Sequence, residues 1–86
     1  MSNVAVDMIS ACLSHYKRYN RKVEIVYLNK RYWELFLRYI GEQLPEKYND
    51  AKATEAMEFR NLMIKRGSRF QHERLIPEFK KEVANA

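Results

Sequence analysis

Residues 50–67, Asp-Ala-Lys-Ala-Thr-Glu-Ala-Met-Glu-Phe-Arg-Asn-Leu-Met-Ile-Lys-Arg-Gly, admit two readings, and the choice between them decides the fold. As one helix closed by Gly67, the stretch has a suitable composition and a C-terminal stop. Arg60 then falls in the middle of the apolar face, however, while Phe59 and Leu62 fall outside it. As strands, Met57 and Phe59 alternate with Glu58 and Arg60, a turn follows near Asn61, and Leu62-Met63-Ile64 resumes the apolar run. The deciding residues lie upstream. Val23-Glu24-Ile25-Val26-Tyr27-Leu28 is short, β-branched and aromatic, and bounded by polar residues. Val23, Ile25 and Tyr27 share one face and Val26 and Leu28 the other, the pattern of an interior strand. Such a strand cannot leave its backbone unpaired inside a domain. Its partners within the chain are 57–65 and roughly 69–75, so the strand reading is preferred; the competing arrangement pairs 23–28 with its own copy in a dimer.

Helices frame these strands. Ser2 and Asn3 are N-cap residues, and Val6, Ile9, Leu13 and Tyr16 recur at helical spacing with Ala5, Met8, Cys12 and Tyr19 beside them, which predicts a helix over 4–18. Asn29 caps a second helix, Lys30 to Ile40, whose stripe is Trp33, Phe36, Leu37 and Ile40 and whose stop is Gly41. Residues 41–56 read as a polar connector with room for a short helix after Pro45. Pro77 suits the first turn of a terminal helix running to Ala84, with Phe79 and Val83 turned inward. The expectation is a single small α+β domain over 1–86, ordered α-β-α-β-β-α, with a small antiparallel sheet packed against helices.

Composition removes whole classes of function. Eighty-six residues make one domain with a small core, partly offset by eleven aromatic side chains. A single cysteine, Cys12, forms no internal disulfide, which points to a reducing, cytoplasmic home. No apolar run approaches the ~18 residues that span a bilayer, and Met1 to Asp7 lack the positive start of a signal or transit peptide. Two glycines are too few for the Gly-rich phosphate loops of nucleotide-binding proteins.

Candidate chemistry is sparse. Cys12 and His15 stand three apart on the first helix and His72 is the only other histidine, too few ligands for zinc. Cys12 sits in an apolar stripe that would not activate a thiol, and the carboxylates Glu34, Glu42, Glu46, Glu55 and Glu58 stand among cations on polar faces. No catalytic residue, metal or cofactor is therefore expected. The non-generic signal is positive charge. Sixteen Lys and Arg against eleven Asp and Glu give a net charge of +5 and a pI near 9.5. The cations gather in Lys17, Arg18, Arg21 and Lys22, with Tyr16 and Tyr19 interleaved, and in Lys65, Arg66 and Arg69 around the Gly67 turn. Lys30 and Arg31 form a smaller third group. The first two groups are the candidate contact surface, on loops that would work as one if the fold brought them together.

In its small size, its lack of a catalytic signature and its segment Met57-Glu58-Phe59-Arg60-Asn61-Leu62-Met63-Ile64-Lys65-Arg66-Gly67-Ser68, the chain resembles short accessory proteins of phages and other mobile genomes. The resemblance implies stoichiometric binding to a macromolecule and carries over no functional residue. With six Tyr, four Met and one Trp, residue types enriched at interfaces, the leading expectation is a non-enzymatic module that binds a protein partner, as an accessory or inhibitor, and self-associates. The alternative is a protein that binds nucleic acid or another polyanion through basic loops 17–22 and 65–69.

Overall fold

The computed structural model of the chain describes residues 3–67 and 73–80. Within them the elements are α1 (Val4–Lys17), β1 (Val23–Leu28), α2 (Lys30–Gln43), α3 (Pro45–Thr54), β2 (Ala56–Phe59), β3 (Leu62–Arg66) and β4 (Leu75–Phe79). The α+β class holds. The order and the sheet differ from expectation: a third helix precedes the hairpin, a strand stands where the terminal helix was expected to start, and the sheet is mixed.

Both expected caps form. The Asn3 side chain accepts from the backbone N–H groups of Ala5 and Val6, and its amide donates to Leu35 O at 2.9 Å, tying the start of α1 to α2. Asn29 accepts from Tyr32 N–H at 3.0 Å and starts α2. Gly41 does not stop α2, since a lone glycine is tolerated in a helix that has tertiary packing. The stop comes at Leu44, which adopts φ −137°, ψ 60° because the residue before a proline avoids the helical region. Pro45 then opens α3, so the supposed connector 41–56 is mostly helix. Gly41 has a packing role instead: a Cβ there would lie 3.3 Å from the Tyr48 ring, which holds α3 close against α2. Glu55, in the left-handed region at φ 53°, ends α3 and turns the chain into β2.

The ambiguous stretch splits. Residues 50–54 belong to α3, while 56–66 form the hairpin, with Arg60 and Asn61 at φ 51° and 65° in a two-residue turn. Positive φ at both central positions matches the right-handed twist of the flanking strands. The sheet order is β2-β3-β1-β4. β1 is thus interior, as its apolar pattern requires, and it finds its partners within the chain. It runs parallel to β3 (Ile25 opposite Met63, Leu28 opposite Arg66) and antiparallel to β4.

Residue Pro77, expected to open a helix, stands in an edge strand opposite Val26. Asn29 N–H donates to Arg74 O, which marks 29 and 74 as a hydrogen-bonded pair. Alternation along the ladder then turns the Pro77 nitrogen away from β1, where its missing N–H costs no ladder bond. Of the strand expected at roughly 69–75, only 73–75 lie among the described residues, and there β4 is described from Leu75. Residues 68–72, including Ser68, Arg69 and His72, and the expected helical residues 81–84 lie outside the described residues.

The helices pack on one face of the sheet. Between helices and sheet, the largest fully buried side chains among the described residues are Phe36, Ile9, Leu28, Ile40, Ile64 and Val26. Phe36 is the pivot, with Trp33 at 5.7 Å and Phe59 at 5.4 Å between ring centroids. Burying such a ring contributes roughly 1.5–3 kcal/mol. The opposite face carries Ile25, Tyr27, Met63, Lys65 and Ile76, all half-buried, with no described helix packed over them. Among the described residues no helix is long and apolar enough to cross a membrane.

Candidate functional site

The end of α1 is closed by its own backbone. Arg21 N–H donates to Tyr16 O at 3.0 Å and Asn20 N–H to Lys17 O at 3.2 Å, with Asn20 at φ 55°. This is a Schellman closure in which asparagine takes the left-handed position usually filled by glycine. It reverses the chain so that Arg21 lies over the Phe79 ring of β4, 3.7 Å from its centroid. Lys80 N–H then donates to Lys22 O at 2.9 Å and fastens the loop to the end of β4.

The β2–β3 turn arrives at the same place. Arg60 donates to Ser10 Oγ on α1 and stands 5.0 Å from the Phe59 ring. The result is a groove of about 970 Å³ lined by Leu13, Val23, Leu62 and Phe79 on its floor and by Lys17, Arg21, Lys22, Arg60 and Lys80 around it, with Asn20 and Asn61. Five cations and no carboxylate appear among the described residues that line it, and none of the five forms an ion pair with a described carboxylate. Like charges gathered this way repel one another and favour an anion between them.

The sequence-based candidates divide. Lys17, Arg21 and Lys22 line the groove; Arg18 is exposed on the same loop but does not line it. Arg60 and Lys80 were not expected there, because only the hairpin turn and the end of β4 deliver them. Lys65 lies on the open sheet face opposite Ala56. Arg66 pairs with Glu55 at 2.9 Å, a half-exposed contact worth about 0–1 kcal/mol, and Arg69 lies outside the described residues.

Lys65 and Arg66, the described cations of the second cluster, do not lie near loop 17–22. β1 and β3 run parallel, with Leu28 opposite Arg66, so the first cluster sits at the start of β1 and Arg66 at its end. A six-residue strand separates them by roughly 17–20 Å. Arg66 belongs to a second, smaller hollow of about 470 Å³ with Lys30, Trp33, Arg38, Lys52 and the acids Glu34 and Glu55, where charge is balanced far more evenly.

Among the described residues no group of three or more His, Cys, Asp or Glu could hold a metal ion. Partial burial raises the pKa of the Cys12 thiol, which keeps it protonated and weakly nucleophilic. The Tyr27 hydroxyl donates to Glu78 Oε2 at 2.7 Å, and this bond, then desolvation and the Glu78 charge, raise its pKa. No family model, curated protein or solved structure matches the chain.

Proposed function

We propose that the protein is a non-enzymatic binding module that holds the phosphate backbone of a nucleic acid in the groove between α1, the β2–β3 turn and the end of β4. The observation that carries this reading is the convergence of Lys17, Arg21, Lys22, Arg60 and Lys80 on an apolar floor with no described carboxylate among them. Guanidinium groups give phosphates paired, directional hydrogen bonds, and lysines add mobile point charges. The floor of Leu13, Val23, Leu62 and Phe79 suits sugar and base surface rather than water.

Fluorescence anisotropy with a labelled oligonucleotide tests it. Arg21→Gln/Arg60→Gln is expected to weaken binding, while Lys65→Gln/Arg66→Gln, at the far end of β1, leaves it nearly unchanged. Equal loss in both variants, or no binding by the wild type at low salt, would overturn the assignment.

A protein partner, including a second copy of the chain, is the other reading. The observation favouring it is the half-buried group Ile25, Tyr27, Met63 and Ile76 on the open sheet face. Edge pairing is not the route: β2 has four residues, and Pro77 removes an outward donor from β4. Self-association would therefore use the face. Analytical ultracentrifugation that finds a dimer in the wild type and a monomer in Ile25→Lys supports that reading, and a strict monomer removes its self-associating form.

A further inference from the structure

We infer that the nucleic acid is single-stranded and that an unpaired base stacks on Tyr19, beside the groove. The inference rests on the reading of the groove as a phosphate-binding surface and adds what cations alone do not specify.

It starts from an exposed ring. Tyr19 is 64% exposed, one of two large hydrophobic side chains in that state among the described residues. By helical spacing it belonged to the apolar stripe of α1; the closure at Asn20 places it beyond the helix instead. Its ring meets only one described aromatic, His15, at 5.3 Å between centroids and a tilt of 60°, so most of its surface stays in water. His15 is itself exposed, and meets Tyr16 edge-on at 4.8 Å. Tyr16 in turn packs edge-on against Phe79 at 4.7 Å, and Phe79 is the ring that Arg21 covers in the groove.

Aromatic rings in contact therefore run from an open ring in solvent to the floor of a cationic groove. A base offers a π-face to such a ring whatever its sequence, and stacking contributes about 1–3 kcal/mol per base. Duplex bases are already stacked on one another and present no free face. A groove that only neutralised charge would need no exposed ring next to it. The pairing of the two features selects unpaired bases over paired ones, and nucleic acid over an anionic polymer without bases.

Anisotropy with three probes of equal length tests this: an oligothymidine strand, the same strand with abasic sites, and a duplex. The wild type is expected to bind oligothymidine at least about 5-fold more tightly than the abasic strand, the lower end of one stacked base. Tyr19→Ala should abolish that preference while leaving abasic binding unchanged, and Tyr19→Phe should keep it. Equal weakening of both strands by Tyr19→Ala, no preference in the wild type, or a duplex bound as tightly as oligothymidine would each overturn the inference. In those outcomes the abasic strand or the duplex still binds. If none of the three binds at low salt, it is the groove reading that has failed.

Discussion

Neutralising two arginines in the groove should change how steeply binding falls with salt, by an amount that follows from the five cations lining it. Each phosphate neutralised on a single strand contributes about 0.7 to the slope of log affinity against log salt. With five cations around the groove, full engagement gives a slope near −3.5. A fourfold rise in salt, from about 50 to about 200 mM, then weakens binding by about 100-fold. Arg21→Gln/Arg60→Gln leaves three cations, a slope near −2.1, and a loss of about 20-fold over the same interval. Both side chains are exposed, so their removal leaves the core intact. Arg21 loses its contact with Phe79 and Arg60 its bond to Ser10, at a cost of about 0.5–1 kcal/mol each in fold stability. The assay is anisotropy of a labelled oligothymidine across a salt series, with circular dichroism to show that the variant is folded. The reasoning is refuted if the variant keeps the wild-type slope, or if Lys65→Gln/Arg66→Gln lowers the slope as much.

Three further outcomes follow from the fold. Phe36→Ala removes a side chain with no exposure that packs on Trp33 and Phe59, and should cost about 3–5 kcal/mol, lowering Tm by at least about 12 °C in calorimetry; a drop under about 5 °C would show that Phe36 is not the pivot of the core. Pro77→Val restores a donor on the outward edge of β4 without adding a bond to β1. Monomer stability should fall by no more than about 1 kcal/mol, while concentration-dependent association appears in gel filtration; a large loss of monomer stability would contradict the outward orientation. The raised pKa of Tyr27 means that its neutral hydroxyl is favoured in the fold. Its stabilising contribution is complete below the ordinary tyrosine pKa of 10.0 and is lost as pH rises through the higher folded value. Denaturant titrations at rising alkaline pH should show this decline in the wild type and a shallower one in Tyr27→Phe.

What the chain determines locally was legible from its residues. Asn3 and Asn29 cap their helices with a side-chain oxygen two or three residues from its donors, and β1 announces itself by β-branched and aromatic content. The hairpin at 56–66 followed from the need to pair that strand. Signals with two local meanings were read less well. A proline after a polar stretch fits a helix start and an edge strand equally, and only the register against Val26 assigns Pro77 to the second. Gly41 is a residue type that often stops a helix, yet α2 runs past it to Gln43 and ends at Leu44, before Pro45.

The candidate site divides along the same line. Lys17, Arg21 and Lys22 are adjacent in sequence, so any fold that ends a helix there puts them together. Arg60 and Lys80 reach the groove through pairings that no local pattern encodes: a hairpin turned toward α1 and an edge strand ending beside Lys22. The parallel run of β1 and β3 also carries Arg66 to the opposite end of the sheet. The sequence by itself determined that positive charge comes in clusters, because neighbouring residues cannot be far apart. Which clusters share a surface was decided by strand order and direction, since contacts between distant segments arise only when the whole sheet is assembled.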